Sequence, residues 1–315
     1  MKRNISGILL LDKPVGFTSN EALQTVKKIF SANKAGHTGS LDPNASGMLP
    51  ICFGEATKFS QFLLEANKRY LVTGKLGETT ASGDSECEII EKRIVKDIGV
   101  KSFERILPKF RGKISQLPPM YSAIKHKGQP LYKLARQGIE IKRDSREINI
   151  YELQLLDFKN DLAEFDIYCS KGTYVRTLIV DIGEELGCGA HVVALRRLVV
   201  GPYQAEQMVS LDKLQELARV LGSALRLSED DIMKKNYKEL DKFLLPIESM
   251  LLDMPEIALT QDMVYYMSLG QAVLVPYSPS PGWVKLKSKD GKFLGVGEVM
   301  LDGKVTPRKM VTGRF

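Results

Sequence analysis

The stretch Lys34–Pro50 reads K-A-G-H-T-G-S-L-D-P-N-A-S-G-M-L-P and sets a single acidic side chain, Asp42, among residues that favour tight turns. Gly36, Gly39 and Gly47 allow the backbone to take φ > 0 and to approach a ligand closely, and Pro43 pushes Asp42 towards an extended conformation. A short carboxylate is thereby expected on a bent surface loop. Asp before Pro is also a common turn cap. Two readings therefore stand side by side, a local cap or a group with chemistry to perform.

On the N-terminal side of this loop, Gly7–Leu11 reads as a strand and Asp12-Lys13-Pro14-Val15-Gly16 as the turn that leaves it. Thr18 and Glu21 have capping-box spacing, and Leu23, Val26, Ile29 and Phe30 recur at helical spacing, which predicts a helix. On the C-terminal side, Met48–Phe53 is apolar enough for a buried strand. A short helix follows, with Phe59, Phe62 and Leu63 on one face and Lys58 on the other. Lys68–Leu76 alternates as a strand does, with Tyr70 near its start, where an aromatic commonly serves the core. Glu78–Glu86 reads as a polar loop, Glu88–Val95 as a strand, and Phe103, Ile106, Leu107 and Phe110 as a helical stripe that stops before Gly112.

Farther out the texture changes. Lys125–Arg146 carries seven basic residues against two acidic ones, with Tyr121 and Tyr132 close by and Pro118-Pro119 ahead of it. Such a run is either a solvated face or a mobile element that grips RNA. Glu147–Phe158 and Leu162–Cys169 read as a pair of strands, and Val175, Ile179, Ile182 and Leu186 as the buried stripe of a helix ending near Gly187. Arg176 falls in the first turn of that helix. A cation there opposes the helix dipole at a cost of about 0.3–1 kcal/mol, so it is either simply solvated or facing an anion. Ser210–Leu225 reads as another helix. Thr260–Leu269 predicts a short helix and Ala272–Val275 a strand, and Asp290-Gly291 and Asp302-Gly303 are hairpin signals between alternating segments, suggesting a small β-barrel module.

The whole chain has 315 residues, a formal charge of +7, a pI near 9.0, 43% hydrophobic and 26% charged residues. That length favours two domains, and the basic balance favours an anionic partner such as nucleic acid. The longest N-terminal apolar run, Ile8–Leu11, is too short for a secretory signal or a membrane span. Four scattered cysteines suit buried thiols in a reducing cytoplasm. Three histidines, with Cys188 and His191 as the closest Cys/His pair, offer little for zinc. Neither GxxxxGK[ST], GxGxxG nor GxSxG is present. What remains is a carboxylate, an arginine able to pair with it, aromatics able to hold a base and a basic surface. A lone carboxylate suits chemistry at a glycosidic bond. If the target is a paired nucleotide in RNA it must be flipped out, which calls for stacking and for a group to fill the gap, with Tyr70, Tyr174 and His37 as candidates.

Gly36-His37-Thr38-Gly39-Ser40-Leu41-Asp42-Pro43, Lys68-Arg69-Tyr70 and Ser170-Lys171-Gly172-Thr173-Tyr174-Val175-Arg176 closely resemble the three active-site motifs of the bacterial tRNA pseudouridine synthase B (TruB) family. The resemblance extends to Leu11-Asp12-Lys13-Pro14, Met120-Tyr121-Ser122-Ala123 and Gly187-Cys188-Gly189-Ala190-His191, and Leu269-Gly270-Gln271-Ala272-Val273 looks like part of a PUA RNA-binding domain. It implies an α+β fold: a mixed, largely antiparallel sheet with flanking helices over residues 1–250, an RNA-gripping insertion at about 118–147, and a PUA-like module over 251–315. It implies isomerisation of uridine 55 in the T stem-loop of tRNA, without cofactor or metal, by a cytoplasmic monomer that has no obligate protein partner and no membrane contact. By analogy Asp42 attacks the target nucleotide, Arg176 is its ion-pair partner and Tyr70 stacks on the flipped base. His37 fills the vacated space, and Lys13, Lys58, Tyr174 and Leu195 complete the pocket. Lys125, Lys127, Lys133 and Arg136 would grip RNA. The loop Thr79–Cys87 departs from the pattern by lacking the Gly that often follows its Asp. A tRNA-folding chaperone, or a related synthase acting on another RNA, remain as alternatives.

Overall fold

The computed structural model describes residues 2–222 and 237–312. Its first elements are β1 (Gly7–Lys13) and α1 (Ser19–Ile29), joined by a turn and capped by Thr18. The Thr18 hydroxyl accepts from the Glu21 N–H, and the Glu21 carboxylate accepts from the Thr18 N–H at 2.8 Å, completing the box that the sequence predicts. Then come β2 (Ala35–His37), β3 (Ala45–Phe53), a 3₁₀ turn, α2 (Ser60–Glu65) and β4 (Lys68–Leu76). The predicted strand at Met48 thus begins three residues earlier, and the loop around Asp42 shrinks to residues 38–44. Gly47 therefore lies inside a strand. Its φ is +98°, and a Cβ there would stand 2.3 Å from the Arg197 carbonyl oxygen, so glycine is required by the close approach of two strands.

The chain continues through β5 (Glu78–Thr80) and β6 (Ile89–Lys92), then α3 (Val100–Ile106) and β7 (Gly112–Gln116). The polar segment read as loop thus contains a short strand, and the strand expected over Glu88–Val95 is confined to four exposed residues. Within the basic segment lie β8 (Lys125–His126), β9 (Gln129–Pro130) and α4 (Leu131–Ala135). Next are β10 (Arg146–Lys159), β11 (Leu162–Cys169), α5 (Val175–Glu185), β12 (Ala190–Val200), β13 (Val209–Ser210) and α6 (Leu211–Gly222). The last three residues of the helix predicted to reach Leu225 lie outside the described residues.

The main sheet runs in the order β13-β1-β3-β12-β4-β11-β10-β7, with β2 alongside β3. Only β13–β1 and β12–β3 are parallel, so the sheet is mixed and largely antiparallel. β1 shows why its apolar run lacks alternation. Leu9 and Leu11 join Ala22, Leu23, Val26 and Phe30 on one face, while Ile8 and Leu10 join Phe59 and Leu63 on the other, so both faces are covered.

A second sheet, β14-β16-β17-β18-β15, comprises β14 (Glu256–Leu259), β15 (Val273–Leu274), β16 (Gly282–Ser288), β17 (Phe293–Val299) and β18 (Lys304–Met310), with α7 (Gln261–Ser268) beside it. Both predicted hairpin turns fall between its strands. β14 pairs in parallel with β16 and was not legible from its four-residue pattern. The fold is thus α+β with a small PUA-like β unit. Phe293, Val296 and Val311 are buried together with Met48, Phe59 and Leu63, and the Phe59 and Phe293 rings meet at 5.6 Å. The second sheet therefore shares a core with the first. Among the described residues no helix is long and apolar enough to cross a membrane.

Candidate active site

Asp42 is held by bonds on both sides of it. The Ser19 hydroxyl, at the start of α1, donates to the Leu41 carbonyl at 2.9 Å and accepts from the Leu41 N–H at 2.7 Å. The Pro43 carbonyl accepts from the Gly16 N–H at 2.9 Å, and the Ala45 N–H donates to the Asp42 carbonyl at 3.0 Å. The loop is thus pinned to the turn after β1 and to the first turn of α1. This leaves the Asp42 carboxylate as the free end of a fixed bend.

Arg176, the second residue of α5, faces it. Its Nε lies 3.0 Å from Asp42 Oδ2 and its Nη2 3.3 Å from Oδ1, a forked contact. The same guanidinium donates from Nη1 to the Ser82 carbonyl at 2.8 Å and from Nη2 to the Tyr121 carbonyl at 2.7 Å, and Nη1 is 3.3 Å from Asp84 Oδ2. Its side chain is 6% exposed, whereas that of Asp42 keeps 38% of its surface open. The cation in the first turn is therefore not a solvated arginine. Asp84 accepts on Oδ1 from the Ser82 hydroxyl at 2.6 Å and from the Glu86 N–H at 3.0 Å. The carboxylate thereby closes its own turn without the missing glycine.

Arg176 does not lower the Asp42 pKa on balance. Burial of the carboxylate raises it, Arg176 opposes this, and Asp84 and Glu86 push in the same direction as burial. If ionised Asp42 is the reactive form, the single-turnover rate should rise with pH along a limb whose midpoint lies above 3.8, the ordinary aspartate value. It should level off once the proton has left. A limb at or below 3.8, measured where circular dichroism shows the protein still folded, would mean that Arg176 outweighs burial.

Two openings flank Asp42. On one side a narrow cleft is walled by Asn44, Asp84, Ser85, Arg176 and Val192–Leu195, and it adjoins a groove of about 440 Å³ that shares Asn44, Ser85 and Leu195 with it. On the other side, His37, Tyr121, Tyr132, Arg136 and Arg176 line a cavity of about 340 Å³. His37 ends β2; its buried Nδ1 has no hydrogen-bond partner among the described residues, and burial lowers its pKa, which favours the neutral ring. Leu195 walls the cleft. Tyr174 is the N-cap residue of α5, with its backbone N–H and carbonyl both bonded to the Gln116 side chain.

Tyr70 is buried in β4, opposite Ile167 and Arg197, rather than among the residues that wall these openings. Lys13 is buried too. Its Nζ donates to the Pro14 and Phe17 carbonyls at 2.9 and 2.7 Å and lies 3.4 Å from the Pro43 carbonyl, and burial lowers its pKa to about 8. It braces the loop from behind. Lys58 is not brought to Asp42. The 3₁₀ turn carries it to the second sheet, where Nζ meets Glu55 at 2.7 Å, the Met310 carbonyl at 3.1 Å and Thr312 at 2.6 Å. Lys125, Lys127 and Lys133 are exposed and make no ion pair among the described residues, whereas Arg136 meets Glu86 at 2.7 Å and lies over the Tyr132 ring.

Sequence reasoning missed Asp84 and Arg197. Asp84 sits in a Ser/Gly-rich loop read as polar and compared with the family pattern without a role for its carboxylate, and its partner is 92 positions away along the chain at Arg176. Arg197 left a signal, an arginine pair inside the largely apolar strand Ala190–Val200. Among the described residues no cluster of three or more His, Cys, Asp or Glu side chains could hold a metal.

Residues 27–175 match the family model of the TruB family pseudouridylate synthase N-terminal domain, and 176–252 match the tRNA pseudouridylate synthase B C-terminal domain. Residues 255–311 match the C-terminal model of pseudouridine synthase II TruB. The tRNA pseudouridine synthase B of Coxiella burnetii (strain RSA 493 / Nine Mile phase I) is 54% identical over 313 residues, spanning 99% of this chain and 97% of that protein. That of Nitrosococcus oceani is 50% identical over 309 residues, spanning 98% and 96%. Among solved structures, a Cbf5-Nop10-Gar1 complex aligns with a TM-score of 0.73 at 27% identity, covering 96% of this chain and 84% of that one.

Proposed function

The chain belongs to the TruB family and is a tRNA pseudouridine synthase, and we propose that it acts on uridine 55 of the T loop with Asp42 as the attacking group. The observation that carries this reading is the forked Asp42–Arg176 pair, set between two openings on a loop pinned at both sides. Pseudouridine forms when the uracil N1–C1′ bond breaks and a C5–C1′ bond replaces it, the C5 proton being lost and N1 regaining one. Atoms and electrons balance within the nucleotide, so the protein must provide a transient nucleophile and hold the detached base. Asp42 supplies the first. The cleft walled by Arg176 and Leu195 supports the second; Tyr70, the stacking ring that the resemblance implies, is buried in β4 and walls neither opening, so that role needs the ring to be uncovered when RNA binds. A flipped base leaves a gap in the RNA, and the His37 ring, which lines the second opening beside Asp42, suits that space. Tyr174, at the head of α5, would support Arg176.

Residues 1–250 would form the catalytic unit, 118–147 the element that grips RNA, and 251–315 a further RNA-binding unit, working as one chain in the cytoplasm. The direct test is incubation of the purified protein with unmodified tRNA transcript and mapping of pseudouridine at single-nucleotide resolution. Product at uridine 55 supports the proposal. Product elsewhere would assign another RNA site, and tight binding with no product would favour an RNA chaperone.

The exposed lysines bear on affinity rather than chemistry. If about four to six phosphates are neutralised, the log–log dependence of affinity on salt should have a slope of roughly −3 to −5. Lys125→Ala, Lys127→Ala and Lys133→Ala combined should flatten it by about two to three. An unchanged slope would make this segment only a solvated face.

A further inference from the structure

Arg197 is 2% exposed and no acidic side chain pairs with it among the described residues. A buried cation without a counter-ion is costly unless its donors are satisfied, so its retention calls for a reason. Its donors go to the catalytic loop. Nε donates to the Met48 carbonyl at 2.7 Å, Nη2 to the Gly39 carbonyl at 3.1 Å, and Nη1 lies 3.5 Å from the Ser40 carbonyl. Gly39 and Ser40 precede Asp42, and Met48 follows it, so one planar group joins the two ends of the bend. The backbone of Arg197 stands in register with Gly47 of β3 and with Tyr70 of β4, and the guanidinium is near enough to the Tyr70 hydroxyl to act on it electrostatically.

We propose that Arg197 is a positioning residue for the isomerisation: its guanidinium fixes the Asp42 loop and the Tyr70 ring relative to one another. The inference rests on the proposed roles of Asp42 and Tyr70, and it assigns to a residue outside their motifs the distance between them. A fork is needed because the carbonyls approach from different directions. An ammonium at the end of a flexible stem cannot serve all of them in one geometry. The group touches no face of either opening beside Asp42, so its loss should act on rate and leave RNA contacts alone.

The test uses the full chain with unmodified tRNA transcript. For Arg197→Lys and Arg197→Met, the melting temperature, the tRNA Kd and the single-turnover rate at saturating RNA are measured together. The expected result is a Kd within threefold of the parent protein, a rate lowered 10- to 100-fold for the lysine variant, and a larger loss for the methionine variant. Tyr70→Phe should cost less in the Arg197→Lys background than alone, since the guanidinium beside the hydroxyl would already be gone. Should neither arginine variant fold, Gly39→Ala decides. At φ +92° an added Cβ strains the backbone and turns the carbonyl that Arg197 holds, while its nearest neighbours stand at 3.8 and 3.9 Å. It should lower the rate at unchanged Kd. A folded variant within threefold of the parent rate would overturn the proposal, as would parallel losses of rate and affinity. If Asp42→Asn removes activity while the Arg197 variants keep it, only this inference falls; if Asp42→Asn stays active, the reading beneath it falls.

Discussion

Asp42→Asn is expected to reduce single-turnover pseudouridine formation by at least about 10⁴-fold, because it removes the nucleophile while keeping its shape. Two features of the site make this a clean substitution. The side chain keeps more than a third of its surface open, so an amide there meets no steric bar. Removing one partner of a buried pair usually leaves the other charge uncompensated, at a cost of 3–5 kcal/mol, roughly, but Arg176 retains Asp84 at 3.3 Å. The variant should therefore fold and bind tRNA within a few-fold of the parent protein, since most of that affinity comes from phosphate contacts elsewhere. Burial disfavours the ionised carboxylate, so loss of its charge even relieves a local penalty. Substantial turnover by this variant would sink the aspartate mechanism. Loss of binding in step with activity would return Asp42 to the role of a turn cap.

Arg176→Lys should lower the rate by about 10²-fold or more although the charge is kept. The guanidinium contacts both Asp42 oxygens, Asp84 and the carbonyls of Ser82 and Tyr121 at once. These partners belong to three separate segments of the chain. A lysine can direct its donors from only one atom, so at least one segment would be released. The Asp42 carboxylate would then sample orientations out of line with its target. The measurement is the single-turnover rate at saturating tRNA together with its pH dependence. A charge held less closely to the carboxylate should move the acid limb to higher pH, because Arg176 is the main influence opposing burial at Asp42. A variant with a normal rate and an unmoved limb would show that charge alone suffices.

Much of this site was legible in the chain itself. Asp42 stood out because turn-forming residues surround it, and Arg176 because a cation in the first turn of a helix needs an anion to offset the dipole. Each was a local anomaly, and pairing them explains both. His37 and Leu195 both line openings beside Asp42. Lys58 does not, because the direction of a side chain on a 3₁₀ turn depends on what that turn packs against, here β18 and the segment after it. The α1 cap, the alternation of β4 and the hairpin turns of the second sheet are properties of neighbouring residues, and local chemistry determined them.

Three things were decided only in tertiary structure. Gly47 appeared to serve a flexible loop, yet a Cβ there would stand 2.3 Å from the Arg197 carbonyl oxygen of the neighbouring β12, a constraint imposed by a strand 150 residues away. Asp84 and Arg197 carried little or no motif signal because their partners are distant in sequence, and a buried charge is recognisable only once its neighbours are in place. The sign of the Asp42 shift belongs here too. An arginine beside a carboxylate predicts a lowered pKa, but the opposing effect of burial depends on how completely other segments close around the group, and that closure exists only in the folded chain.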